Sequence, residues 1–146
     1  FKMESKFSPT WKSSTQPRKQ RKFLANAPLH TRQKLVSAHL SKDLRKQYGK
    51  RSLPLRKGDE VKVVRGSQFG LKAKVSQVNL NYLRVYLEGQ LREKVGGKKS
   101  PIPFHPSNLL ITEAKLTDKK REAIISRSKK QRRESGLVAG SQKPVA

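Results

Sequence analysis

The apolar residues of this chain are concentrated in one central stretch. Residues 53–112 contain 20 Leu, Ile, Val and Phe in 60 positions, whereas the other 86 positions hold only 15. Since burial of apolar surface drives folding, only this stretch is rich enough to build a core. The sequence therefore predicts one small domain between flanks that need a partner to become ordered.

The central stretch alternates apolar and polar residues, as half-buried β-strands do. Residues 60–63 and 82–87 follow this period of two, with Leu83, Val85 and Leu87 on one face. We predict a mainly β fold, a small and strongly bent antiparallel barrel over residues 53–112. It is shaped by turns at Lys57–Asp59, Asn79–Asn81 and Gly96–Gly97, a bulge at Ala73–Val78 and a closing strand at Leu109–Ile111.

The N-terminal flank divides into two predicted segments. Residues 1–27 have no apolar period and contain the block Gln-Pro-Arg-Lys-Gln-Arg-Lys, which indicates an extended basic arm. Residues 28–52 are predicted to form two short helices. Leu29, Val36 and Leu40 fall near one helical face, and a second helix starts at the N-cap Ser41 and ends at Gly49.

The C-terminal flank, residues 113–146, is predicted to form one helix followed by a basic tail. Thr117 and Asp118 are suitable residues to begin the helix, which we expect to end near Lys130. Residues 131–146 are polar and without period, so we expect them to be mobile or held by a partner.

Positive charge dominates the composition. The chain has 35 Lys and Arg against 10 Asp and Glu, a formal charge of +25, of which +14 lies in residues 1–57, +5 in 58–112 and +6 in 113–146. Such a charge requires a polyanion, and nucleic acid fits best because neutralised phosphates release counterions. No apolar run approaches the ~20 residues of a membrane span, so no membrane insertion is expected. The absence of Cys excludes a disulfide framework and favours a location inside the cell.

Side chains suited to catalysis or metal binding do not converge in the sequence. His30, His39 and His105 are far apart and lack metal-ligand spacing, and Asp59 and Glu60 would point to opposite faces of a strand. There is also no glycine-rich nucleotide-binding motif. The sequence therefore predicts a protein that is not an enzyme and that uses no metal or cofactor.

The segment Lys57–Val75 resembles the KOW motif. A strand begins after Gly-Asp, runs into a loop bounded by glycines, here Gly66–Gly70, and returns through Lys74-Val75. The glycines permit positive φ angles and a close approach of the backbone to phosphate. Phe69 departs from the motif, which usually has a basic residue there, and indicates stacking on a base or sugar, or packing. Ala73 stands where a glycine is common.

The segments around this motif are similar to those of the archaeal and eukaryotic family of large-subunit ribosomal protein twenty-four, whose eukaryotic counterpart is large-subunit protein twenty-six. Residues 16–125 carry the resemblance in ordered blocks, including Pro101–Asn108, where Phe104 replaces an aliphatic residue. It implies an SH3-like barrel in the cytoplasmic ribosome, bound near the 5′ region of large-subunit rRNA. It also implies an early role in assembly, neighbouring ribosomal proteins as partners, and a location near the exit tunnel, where nascent-chain or targeting factors bind.

We predict that rRNA is contacted mainly through phosphates. The expected phosphate contacts are Arg18, Lys19, Arg21, Lys22, Arg32, Arg51, Arg56, Lys57, Arg65, Lys72 and Lys74, with Gly66 and Gly70 allowing close approach and His105, Ser107 and Asn108 adding hydrogen bonds. Residues 93–99, with Gly96-Gly97 at the tip, are predicted to project as a hairpin.

Two other classes of protein remain open. A transcription-elongation factor would also use a KOW domain, but it usually carries a polymerase-binding domain for which this chain is too short. A DNA-compacting protein would share the charge but would leave the barrel motif without a role.

Overall fold

The computed structural model describes residues 7–8 and 13–127 of the 146. The helices are α1 (Pro17–Asn26), α2 (Leu29–Leu35) and α3 (Lys42–Tyr48), with a 3₁₀ turn at Pro106–Asn108 and helical residues at 119–127. The strands are β1 (Ser37–Leu40), β2 (Ser52–Pro54), β3 (Glu60–Val63), β4 (Lys72–Asn79), β5 (Arg84–Glu93), β6 (Lys99–Phe104) and β7 (Leu109–Glu113).

The strands form a bent seven-stranded sheet in the order β2-β1-β7-β3-β4-β5-β6. All pairs are antiparallel except β1 with β7, which is parallel. The register of β4 against β5 shifts between Val75 and Gln77, which confirms the predicted bulge and bends the strand. The mainly β, SH3-like fold is confirmed.

The predicted turns and caps are present. Ser41 Oγ accepts the backbone N–H of Leu44 (3.3 Å) and caps α3, which ends at Gly49 in the left-handed conformation (φ 65°). Asn79 Oδ1 accepts the N–H groups of Asn81 and Tyr82 and shapes the turn before β5. The turn containing Gly96-Gly97 joins β5 to β6 as the predicted hairpin.

Three local predictions were wrong. The basic arm is helical from Pro17 to Asn26 rather than extended, because Pro at the first helical position is followed by good helix formers. The helix expected up to Leu40 ends at Leu35, and residues 37–40 pair with β2 and β7 instead. Leu83 lies in the turn before β5 with φ 53° rather than within the strand, although its side chain is partly buried against the core as expected.

The core extends beyond the central stretch. Strand β1 buries Ala38 and Leu40, and the residue just before the strand, Val36, is buried as well. These side chains pack in the same core as central residues such as Val61 and Ile111. Tyr48 of α3 and Ile125 of the C-terminal helix also join this core. Both flanks therefore contribute to the packing of the barrel. The division of the chain at residues 27, 52 and 112 stays a prediction.

A buried ion pair fastens the C-terminal helix to the barrel. Arg121 Nη1 donates to Asp59 Oδ1 (2.7 Å) and Nη2 donates to Oδ2 (2.8 Å), with Arg121 2% and Asp59 0% exposed. The Asp59 carboxylate also accepts the backbone N–H groups of Arg56 (2.9 Å) and Lys115 (3.0 Å). A carboxylate with four donors is fully satisfied, so burial of this charge is tolerated.

The C-terminal helix begins as predicted. Asp118 Oδ1 accepts the N–H of Lys120, and its carbonyl accepts those of Arg121 and Glu122. The predicted helix end near Lys130 and the polar tail 131–146 lie outside the described residues. Among the helices of the described part, none is long and apolar enough to cross a membrane.

Candidate nucleic-acid interface

The loop between β3 and β4 has the backbone geometry that the KOW motif requires. Gly66 (φ 104°) and Gly70 (φ 86°) both occupy the left-handed region that disfavours other residues. Gly66 accepts the N–H of Phe69 (3.1 Å), and Gly70 donates its N–H to Val63 (2.9 Å), so the loop closes on itself. We define residues 64–70 as the KOW loop.

Phe69 projects from the KOW loop into solvent. Its side chain is 71% exposed, which excludes packing on the protein as its role. A phenyl ring held on an ordered loop can stack on a base or sugar. Tyr82, in the turn before β5, is 75% exposed and offers a second aromatic surface that the sequence prediction missed because it placed Tyr82 within a strand.

The KOW loop and the His-Pro-Ser-Asn segment form one cleft. Val64 donates its N–H to the carbonyl of Asn108 (2.8 Å), which joins the loop to the 3₁₀ turn. The cleft encloses about 190 Å³ and is lined by Arg65, Gly66, Ser67, Gln68, Ile102, Pro103, Phe104, His105 and Asn108. Four predicted contacts, Arg65, Gly66, His105 and Asn108, are therefore brought together although 34 residues lie between the two segments.

His105 is placed in this cleft as a neutral hydrogen-bonding group. Its Nδ1 accepts the N–H of Ser107 (3.3 Å) and lies 2.7 Å from Ser107 Oγ, so Nε2 carries the proton. Burial and then the charge of Arg84 lower the pKa of His105 from 6.5. The imidazole therefore offers an N–H donor from Nε2 rather than a positive charge at neutral pH.

Replacing Arg84 by Gln should raise the pKa of His105 towards 6.5, but only in part because burial is the larger cause. The measurement is an NMR titration of the imidazole, with Arg92→Gln as a control that should leave it unchanged. Since the pKa is lower in the folded chain, the unfolded chain binds the proton more readily, and stability should decrease as the pH falls below 6.5. An unchanged pKa in Arg84→Gln would contradict this assignment.

The first helix carries four of the predicted contacts. Arg18, Lys19, Arg21 and Lys22 are all exposed on α1, and no residue of this helix is buried. The charge is unopposed locally because α1 contains no acidic residue. A ten-residue helix is marginal in water without tertiary packing, so a polyanion partner would stabilise α1 as well as bind it.

Two predicted contacts are already engaged within the protein. Arg32 donates to the carbonyls of Ala27 (2.7 Å) and Ala25 (2.7 Å) and to Asn81 Oδ1 (3.2 Å), which ties the end of α1 to the turn before β5. Arg56 forms an ion pair with Asp118. Their guanidinium groups have structural roles that the sequence did not reveal, because the acceptors lie in distant segments.

The other predicted contacts are exposed and spread over the surface. Lys72 and Lys74 lie on β4, where Lys74 faces Glu60 across the sheet. Arg51, Lys57 and Ser107 are also exposed, whereas Asn108 is half-buried. The predicted residues thus make separate basic surfaces rather than one site. In residues 7–8 and 13–127, no group of three or more His, Asp or Glu is placed to hold a metal ion.

Comparisons with known proteins agree with these features. The family model described as ribosomal proteins L26 of eukaryotes and L24P of archaea matches residues 14–128, which include α1, the KOW loop and the C-terminal helix. The chain belongs to this family of ribosomal proteins. It is also 47% identical over 114 residues to the large ribosomal subunit protein uL24 of Methanosphaera stadtmanae, a match that covers 78% of this chain and 97% of that protein. The predicted family is confirmed, and this ribosomal protein acts in the cytoplasm as part of the ribosome.

Proposed function

We propose that this protein is a structural constituent of the large ribosomal subunit that binds rRNA and has no enzymatic role. The observation that carries the proposal is the set of exposed cations on α1, which face no acidic residue on their own helix. The KOW-loop cleft adds Arg65, two left-handed glycines and exposed Phe69. Both surfaces suit an RNA backbone with accessible bases, and the relative from Methanosphaera stadtmanae is named as a large-subunit protein.

The proposed mechanism is neutralisation of phosphates where RNA segments approach each other. The deep major groove of A-form RNA excludes side chains, so the protein reads backbone shape and unpaired nucleotides. The basic surfaces supply counterion release, and Phe69 and Tyr82 supply stacking. Arg32 and Arg56 contribute by fixing the flanking segments against the barrel.

We further propose that the protein binds near the 5′ region of large-subunit rRNA, early in assembly, beside other ribosomal proteins. Ultraviolet crosslinking of purified protein to protein-free large-subunit rRNA tests this directly. We expect crosslinks from Phe69 and Tyr82 within the 5′ region before other proteins are added. Binding only after other proteins are in place would contradict an early role.

The β5–β6 hairpin is proposed to lie near the exit tunnel. Val95 at its tip is fully exposed and Leu91 on β5 is 54% exposed, and the N–H of Gly97 donates to the carbonyl of Lys94 (3.0 Å) to close the turn. These side chains suit transient contact with a nascent chain or a targeting factor better than contact with phosphate.

A photocrosslinking probe on Val95→Cys should reach the exit rim and a stalled nascent chain in assembled subunits. The natural chain has no cysteine, so the label is specific. A probe on Ser67→Cys in the KOW loop is the matched control and should give rRNA adducts instead. Adducts from Val95→Cys exclusively with interior rRNA would contradict the proposed location of the hairpin.

A further inference from the structure

A basic cleft lies on the surface beside the C-terminal helix, and none of the residues that line it is among the contacts predicted from the sequence. It encloses about 490 Å³ and is lined by Lys34, Ser37, Lys50, Ser52, Pro54, Ile124 and Arg127. Three separate parts of the chain meet there. Lys34 comes from the last turn of α2, Lys50 follows the end of α3, and Arg127 comes from the helical residues 119–127.

The charges of this cleft are uncompensated. Lys34, Lys50 and Arg127 line it without any carboxylate, and none of the three forms an ion pair within the described residues. Burial, followed by the charge of Arg127, lowers the pKa of Lys50. Three like charges held around a concave surface repel each other, and an anion between them would relieve this repulsion.

The neutral groups of the cleft also suit an anion with several oxygens. The Ser52 hydroxyl makes no hydrogen bond within the described residues and can donate to a ligand, whereas the Ser37 hydroxyl donates to the carbonyl of Lys34 (2.7 Å). Arg127 Nε donates to the carbonyl of Ala123 (3.2 Å), which holds the guanidinium along its helix and leaves its terminal nitrogens available. A phosphate can accept from a guanidinium and two ammonium groups at once.

We propose that this cleft binds a phosphate group of an RNA backbone. The inference rests on the proposed rRNA binding and adds a contact made by residues from three segments. The cleft includes Arg127, whose helix is fastened by the Asp59–Arg121 ion pair. If RNA occupies this cleft, its binding would be coupled to the packing of the C-terminal helix against the barrel.

The test measures binding of the full chain to purified large-subunit rRNA as a function of salt. Lys50→Gln/Arg127→Gln should weaken binding about tenfold and make the slope of log K against log salt shallower by about one to two. Lys42→Gln/Lys46→Gln removes the same charge from exposed positions of α3 outside the cleft and should weaken binding less than about threefold. Equal effects of the two double variants would overturn the inference.

Acetylation of lysines, read by mass spectrometry, gives a second measurement on the unmutated chain. In the complex with rRNA, Lys50 should be protected, whereas Lys46 should stay reactive. Inorganic phosphate at high concentration should protect Lys50 partially. Protection that appears only after other ribosomal proteins are added would assign the cleft to a protein carboxylate and overturn the inference.

The two proposals fail in different ways. If the unmutated chain does not bind rRNA, the proposed function fails and this inference fails with it. If the chain binds rRNA while Lys50 stays reactive, only the phosphate site is overturned.

Discussion

Replacing Arg121 by Met should lower the free energy of unfolding by about 3–5 kcal/mol, because it leaves the carboxylate of Asp59 buried without its charged partner. Asp59 is fully buried and would retain only the backbone N–H groups of Arg56 and Lys115 as donors. The measurement is urea denaturation at moderate salt, which reduces the self-repulsion of the chain.

Lys119→Met is the matched control, since it removes a positive charge from an exposed position of the same helical segment. It should change the stability by less than about 0.5 kcal/mol. The double variant Asp59→Asn/Arg121→Met should lose less than the sum of the two single changes, because it leaves no buried charge unpaired. A loss below about 1 kcal/mol in Arg121→Met would show that the ion pair does not fasten the helix.

Reversing the charges of Arg18, Lys19, Arg21 and Lys22 to Glu should weaken binding to large-subunit rRNA by about 10³-fold or more at moderate salt. The slope of log K against log salt should become shallower by about four, which is about one for each phosphate that the helix no longer neutralises. Glu is a good helix former and is favourable in the first turn of a helix, so α1 should persist. Any weakening would then report charge rather than unfolding, which circular dichroism can verify.

The matched control reverses four basic residues of the β5–β6 hairpin, namely Arg92, Lys94, Lys98 and Lys99. The net charge of both variants is the same. We expect the hairpin variant to bind rRNA much more tightly than the α1 variant. Equal weakening in the two variants would show that rRNA responds to the total charge of the chain and not to its first helix.

The features predicted correctly depend on neighbours in the sequence. The Ser41 cap, the Gly49 helix end and the Gly96-Gly97 turn each follow from the conformational preferences of one or two residues. The alternation within β3 likewise shows which residues face the core. These local rules predicted much of the central sheet, whereas the KOW loop and the family followed from the resemblance of Lys57–Val75 and its flanks to known motifs.

The predictions that were wrong involve long-range pairing or competing signals. Val36, Ala38 and Leu40 alternate as in a strand, but the same stretch also fits a helical face, and pairing with β7 some 70 residues later decides between them. For residues 17–26, the density of positive charge suggested an extended arm although the residue types favour a helix.

The structural roles of two arginines were invisible in the sequence. Arg121 reaches Asp59 across 62 positions, and Arg32 reaches Asn81 across 49. No spacing rule links such residues, so the sequence could identify Arg32 only as a free cation. The cleft of Lys34, Lys50 and Arg127 was missed for the same reason, because its cations come from three segments that only the fold brings together.

Sedimentation of lysates from cells that express a tagged copy of the chain tests the central claim most directly. The proposed function predicts that, after lysis in moderate salt, the protein travels with large ribosomal subunits and resists a salt wash, because stacking and hydrogen bonds add to the phosphate contacts that salt weakens. The variant with four reversed charges on α1 should appear in free fractions. Co-purification of the unmutated protein with RNA polymerase or with DNA, and its absence from large subunits, would contradict the proposal.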